Sequence, residues 1–405
     1  MPQLSPFCHR VTVCRRLMAA SLLSLGLAAI GCTSVAPPAP CVADELWPQW
    51  RGAAQNGIAS GDGFPTEWSE DAGVDWKIKL PGSGGSTPVI VGSKAFLTYG
   101  SAEHNHLVAI DLNTGKTLWS VALGTDSGGK HRKGSGSNPS PATDGKHVYA
   151  YFRSGDLGCV DLQGNVKWQL NLQEKYGEDT LWWDLGTSPL LTEHAVVVAV
   201  MQSGPSYVVA FDKTSGDVLW KSDRMLEAPE ESAQSYTTPL NVTVDSQPMI
   251  AVLGADHLTL HHRDSGEQVA ALGGFNPDAE KYFRSIASPV AAGEIVVCPY
   301  ARGATLTAVN MRQLAEGQGK QAIAWSRDDI GSDVPTPAAL DNKLYLVGDG
   351  KLNRGQISCL DLQTGKTLWQ IQLPKSRHGF SSSPLVTGNH LYVTQENAVT
   401  FVIGP

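Results

Sequence analysis

Past residue 31 the chain has no apolar run approaching the ~20 residues that a helix needs to cross a bilayer. Charge is sparse, at 17% of residues, and acids outnumber bases by 39 to 31. An acidic surface repels phosphate backbones and anionic headgroups, which argues against nucleic acid as a partner. Cysteine is scarce as well. Of seven, Cys8, Cys14 and Cys32 fall in the first 32 residues, leaving Cys41, Cys159, Cys298 and Cys359, too few to build a disulfide scaffold. Long helices are disfavoured by what is abundant, 42 Gly and 24 Pro, which punctuate the chain into many short elements.

The first residues stand apart. Arg10, Arg15 and Arg16 precede LMAASLLSLGLAAI, which ends at Gly31-Cys32. A basic stretch, a short apolar segment and a small residue before the cut mark an export signal over residues 1–31. The tail AAIGC is similar to a bacterial lipobox, although Ala29 stands where Leu is commonest; it nominates Cys32 for lipid attachment. Plain cleavage releasing an unanchored product is the alternative. Residues 32–46, with TSVAPPAP, read as a Pro-rich tether. Loss of residues 1–31 removes three Arg and no acid, so the formal charge moves from −8 to −11.

DLNTGKTLWS begins at Asp111 and DLQTGKTLWQ at Asp361, two copies of a phrase without catalytic groups. They belong to a repeat. Ser/Thr-Pro before a short apolar strand recurs at Pro88, Pro141, Pro189, Pro239, Pro289, Pro337 and Pro384, at intervals of 53, 48, 50, 50, 48 and 47 residues. A Trp-bearing phrase keeps the same period at Trp119, Trp168, Trp220, Trp325 and Trp369, decaying at Ala270. Strands such as HVYAYF and KLYLV alternate at period two, so each unit predicts four short antiparallel strands, A to D. Asp111 and Thr114 suit a tight C–D turn, Gly115 supplies positive φ, and Trp119 on strand D covers the next unit's edge. Units of this length repeated radially make a β-propeller. Trp76 opens an orphan D-like strand, and the last unit has A to C only. The expected fold is therefore all-β, seven four-stranded blades, with residues 75–80 pairing with 399–403 to close the last blade.

The Ser/Thr-Pro strands alternating with D-x-x-T-G-K-x-L-W resemble the PQQ-like, or quinoprotein alcohol-dehydrogenase-like, β-propeller repeat over residues 75–404. The leader WPQWRGAAQNGIAS, within residues 47–74, resembles the opening of exported PQQ-like proteins common in planctomycete-type bacteria. A lipid signal before a propeller is also similar to the lipoprotein subunit of the outer-membrane β-barrel assembly machinery. The resemblance implies eight blades, so a shortened eight-bladed form is the alternative to closure at seven. The quinone enzymes of this fold use adjacent cysteines, a Ca²⁺ site and an Asp base. No two cysteines adjoin here, and Cys159 and Cys359 read as buried thiols of different blades.

No catalytic, cofactor-binding or metal residue is therefore nominated. Glu178, Asp179 and Asp184, like Asp328, Asp329 and Asp333, read as solvated D–A loops. His104, His106, His261 and His262 lack a third ligand at a familiar interval and read as structural. KHRK, Lys130 to Lys133, reads as a solubilising loop or a contact for an acidic partner segment. Trp182 and Trp183 sit in the long D–A insertion LQEKYGEDTLWWDLG. They either pack over blade three or serve as exposed anchors of an interface, and they are the candidate partner contact. The expectation is a non-enzymatic envelope scaffold with a monomeric, lipid-anchored body that faces the periplasm, on the outer membrane, and binds an envelope protein. It could be an outer-membrane protein assembly factor; the alternatives are a PQQ-dependent dehydrogenase or a channel-mouth receptor for a small molecule, glycan or peptide.

Overall fold

The computed structural model describes residues 10–13 and 46–404, without Asp62 and Ala102. The nominated lipid site, Cys32, and nearly all of the signal and tether lie outside these residues. Seven antiparallel sheets follow one another along the chain. Blade one runs A to D as Val89–Val91, Lys94–Gly100, His104–Asp111 and Thr117–Thr125. Blades two to six repeat this order over residues 142–171, 190–223, 240–273, 290–327 and 338–372. Blade seven has only A to C of its own: Leu385–Thr387, His390–Thr394 and Thr400–Ile403. Among the described residues helix is confined to two five-residue pieces and three short 3₁₀ turns.

Both sequence markers turn out to be joints between blades. The amide of each Ser or Thr marker donates to the marker hydroxyl of the next blade. The steps are Thr87 to Ser140 Oγ (2.8 Å), Ser140 to Ser188 Oγ (2.9 Å), Ser188 to Thr238 Oγ1 (3.0 Å), Thr238 to Ser288 Oγ (2.9 Å), Ser288 to Thr336 Oγ1 (2.8 Å) and Thr336 to Ser383 Oγ (2.9 Å). Proline then starts strand A where no amide is required of it. On the opposite face, four strand-D indoles donate to a carbonyl in the next blade's C–D turn: Trp119 to Leu162, Trp168 to Lys213, Trp220 to Arg263 and Trp325 to Leu362, at 2.8–3.2 Å. The ring lies over the turn glycine. Gly216, at φ 76°, has the Trp168 ring 2.8 Å from where a Cβ would stand, so both conformation and space demand glycine. Asp111 Oδ1 meanwhile accepts from the Asn113 and Thr114 amides and the Thr114 hydroxyl, as expected of the turn.

Blade five breaks the pattern in a compensated way. Blade four offers Ala270 in place of the indole, and blade five carries the helix Met311–Ala315 in place of the tight turn. Met311 and Leu314 are buried in a cluster against which Val269 and Ala270 pack, so helix side chains fill the volume an indole would take.

An N-terminal strand does complete the last sheet, as expected, but it is Ile58–Ala59; the pairing expected between residues 75–80 and 399–403 does not form. Trp76–Lys79 is absent from the last sheet and instead pairs antiparallel with Arg10–Val13. Its side chains are committed to blade one. The Trp76 indole donates to Leu112 O at 2.6 Å, and Trp76 and Ile78 pack on Leu80, Leu97, Tyr99, Val108 and Ile110. The N-terminal segment enters the first and last sheets elsewhere, on their inner edges. Leu46–Trp47 pairs antiparallel with strand A of blade one, and Ile58–Ala59 pairs parallel with strand A of blade seven.

Candidate functional site

Each strand A runs from the face carrying the D–A and B–C loops to the face carrying the A–B and C–D turns. The leader pairs with strands A at both of its ends, so it is a loop inserted into the channel these strands line. Leu46 faces Val91 and Ala59 faces Thr387, both at the turn-face ends of their strands, so both arms leave on the turn face. Between them Arg51 sits at φ 70°, buried, and donates to Pro384 O at 2.5 Å and Pro337 O at 2.8 Å. These are the marker prolines of blades seven and six. Gln55 donates to Pro239 O (2.9 Å) and accepts from Asn241 N (2.9 Å) in blade four, while Pro48 O accepts from Thr143 N in blade two. Asn56 and Gly57 carbonyls bind Ala339 N and Val386 N. Burial without a carboxylate partner lowers the Arg51 pKa to about 9, still charged at neutral pH. The leader is therefore a plug, hydrogen-bonded to strand backbones of five blades. Nothing in the leader's sequence pattern foretold this path.

The opposite, loop-bearing face holds the nominated tryptophans. Asn171 caps the helix Leu172–Tyr176 through its side-chain oxygen, so the start of the insertion is helical where a loop was expected. The remainder is clamped by charge. Lys130 Nζ meets Asp179 Oδ2 at 2.7 Å and also reaches Leu181 O. Asp184 accepts from the Lys130 and His131 amides at 2.7 and 2.9 Å and lies 3.5 Å from Arg153 Nε. The basic loop and the acidic run, read from sequence as separate solvated segments, thus neutralise each other. Lys133 likewise binds Glu396 of blade seven at 2.6 Å. On the next loops Arg284 lies 3.4 Å from Glu231 and grips Asp333 through both guanidinium nitrogens, at 3.1 and 3.2 Å.

Within this clamp Leu181 and Leu185 supply the core packing. Trp182 and Trp183 remain 48% and 43% exposed. Their backbone amides are held by Gln234 Oε1 and Tyr236 Oη, and the Trp183 indole donates to Glu231 Oε1 at 2.6 Å. His131 meets the Trp183 ring edge-on at 5.4 Å. The backbone of both residues and the Trp183 ring are held, while both side chains stay half-open to solvent. Beside it lies a cleft of ≈ 260 Å³ between blades three and four, lined by Gln202, Ser203, Arg224, Met225, Glu227 and Ala255. Gln202 joins cleft to insertion by accepting from Thr180 N and donating to Glu178 O. Arg224, fully buried, donates to the Val252, Gly254 and His257 carbonyls and to Thr259 Oγ1; burial lowers its pKa to about 10.

Two of the histidines are engaged within the fold. His106 stacks on Tyr99 at 4.8 Å, and buried His261 bridges Gly266 O and Thr259 Oγ1, its pKa pushed down to about 4 by burial. Cys159, Cys298 and Cys359 are unpaired and buried in blades two, five and six. Burial raises the Cys159 thiol to about 12. Among the described residues no cluster of three or more His, Cys, Asp or Glu is disposed to hold a metal, and no helix is long and apolar enough to span a membrane.

The repeat, the radial sheets and the turn chemistry define a β-propeller of PQQ-like type. The chain belongs to the PQQ_2 family, described as "Outer membrane protein assembly factor BamB", whose model matches residues 58–230 and 313–402. No curated protein matches it significantly. Among solved structures it is similar to BamB from Moraxella catarrhalis, with 17% identity, 82% of this chain and 88% of that chain covered, and a TM-score of 0.57. At that identity the likeness establishes fold alone. A europium-containing methanol dehydrogenase (11% identity, 88% and 89% covered, TM-score 0.47) and the computationally designed Ika8 protein (14%, 78% and 95%, 0.48) are more distant and carry no functional argument.

Proposed function

We propose that the chain is a non-enzymatic scaffold of the cell envelope, an assembly factor anchored through lipid on Cys32, with its propeller in the periplasm. It recruits an envelope protein through the loop face at Trp182 and Trp183. The observation that carries this reading is the half-exposed tryptophan pair, its backbone clamped and the Trp183 ring bonded, beside a cleft, in a family described by outer-membrane protein assembly. Aromatic rings bring large contact area at little entropic cost on binding. Two features weigh against the alternatives. The leader fills the channel where a small ligand would enter, and each described cysteine is buried alone in its blade. Pull-down from detergent-solubilised envelopes tests the proposal. Trp182→Ala/Trp183→Ala, folded by thermal melt, is expected to lose a specific partner that the wild type retains. An unchanged partner set, or dye-linked alcohol oxidation by the purified protein with added quinone, overturns it.

A further inference from the structure

The leader and the tryptophans occupy opposite faces of the disc. Leu46 pairs with Val91, at the end of strand A where the A–B turn begins, so Leu46 stands at the turn face. Ala59 pairs with Thr387 at the corresponding end of blade seven, so the second arm leaves there too. Arg51 and Gln55, bound to the marker prolines of blades four, six and seven, hold the loop so that neither arm can pass through to the other side. Trp182, Trp183, Met225, Tyr282 and Leu352, all highly exposed, lie on D–A or B–C loops. Val399 is on the B–C loop of blade seven; of the remaining exposed large apolar residues among those described, Leu46 is on the turn face and the others are on outer strands D.

We infer that the tether fixes the disc's polarity: the turn face looks toward the membrane, and the tryptophan face is presented away from it to a folded, water-exposed domain of the partner. This rests on the proposed anchoring at Cys32. Tether length decides the matter. Residues 32–45 reach roughly 50 Å when fully extended, at about 3.3–3.6 Å per residue. Turning the disc over would require the tether to run from the axis to the rim and down its side. With four strands ~4.8 Å apart around a central channel and six-residue strands rising ~3.3 Å per residue, that path is also about 45–50 Å. The inverted pose needs a taut chain with almost no conformational freedom, whereas the upright pose needs none of that extension.

The test uses the full lipidated protein in phosphatidylcholine vesicles carrying a headgroup-nitroxide lipid. In a Cys41→Ser background, where Cys159, Cys298 and Cys359 are buried, a fluorophore is placed at Asn113→Cys or Gln363→Cys on the turn face, or at Met225→Cys or Leu352→Cys on the loop face. Quenching several-fold stronger at 113 and 363 is expected. Inserting about 30 Gly/Ser residues after Pro40 should level the two faces, because a flexible chain of that length spans the disc without being stretched. Equal quenching with the native tether, or stronger quenching at 225 and 352, overturns the polarity while leaving the anchor intact. Absence of diacylglyceryl mass on Cys32 overturns the anchoring reading and the polarity with it.

Discussion

The six junctions between blades one and seven and the seam between blade seven and blade one are built differently. Each of the six has a marker hydrogen bond and a buried apolar cluster drawn from both neighbours, and most have a docked indole. At the seam, no bond runs from Ser383 N to Thr87 among the described residues, and the cluster on that side of blade one contains the 76–80 segment but no residue of blade seven. Trp369 of blade six, facing a blade without a C–D turn of its own, finds no carbonyl acceptor among the described residues and is 37% exposed. Its whole strand, Thr367–Gln372, is exposed. The seam is bridged by non-repeating pieces: the leader across the inner edges, Pro65 and Trp68 against Tyr392, and Lys133 to Glu396. A local rule repeated seven times builds the blades; joining the ends takes a separate structure.

Removing the leader should break this arrangement most severely. Deletion of residues 46–59 strips hydrogen bonds from five blades, and the melting temperature is expected to fall by more than roughly 10 °C. Hydrogen exchange should rise first in the strands A of blades one and seven. If blades three and four open equally early, the seam is not the weak point. Next in size is a matched pair of substitutions. Trp220→Ala, inside an intact junction, should cost about 3–5 kcal/mol in denaturant unfolding, whereas Trp369→Ala should cost under about 1 kcal/mol. Equal costs would mean that Trp369 docks on something in solution.

Acid should loosen a junction blade rather than the seam. His261 is held neutral, with a folded pKa of about 4 against an ordinary 6.5. Below 6.5 the unfolded chain gains a proton that the folded one refuses, so stability falls as pH drops from 6.5 to 4, by about 3 kcal/mol at most. His261→Gln should flatten that part of the stability–pH curve; an unaltered slope assigns acid sensitivity elsewhere. The smallest effect belongs to Lys133→Ala. This pair is half-exposed at the lysine, so its loss should cost less than about 1 kcal/mol and vanish in high salt.

What could be read from sequence followed the range of the interactions. The period, the four-strand unit, the turn around Asp111 and the role of Trp119 were legible because they repeat and because partners lie within one unit or its neighbour. The leader was not, since Arg51 and Gln55 pair with carbonyls 333, 286 and 184 residues away and their run has no strand alternation. Closure by residues 75–80 failed for a related reason: Trp76 has the side chain of a strand D, and it was that side chain's docking on blade one, rather than backbone pairing, that the motif encoded. The opposite charges of residues 130–133 and 178–184 were visible, but only the fold brings those loops side by side. Blade five's helix was invisible because the missing indole and the missing turn compensate each other only in three dimensions.

The chain of marker hydrogen bonds runs one way from blade one to blade seven, each of the six donating amides pointing to the hydroxyl of the blade that follows. Each marker amide is therefore a sensor for its neighbour rather than for its own sheet. The exchange rate of the Ser140 amide monitors whether blade three is in place, and that of Ser188 monitors blade four. Ser188→Ala would expose the signal at Ser140 and leave Thr238 silent, so a single labelled spectrum could report, blade by blade, the direction in which the ring comes apart.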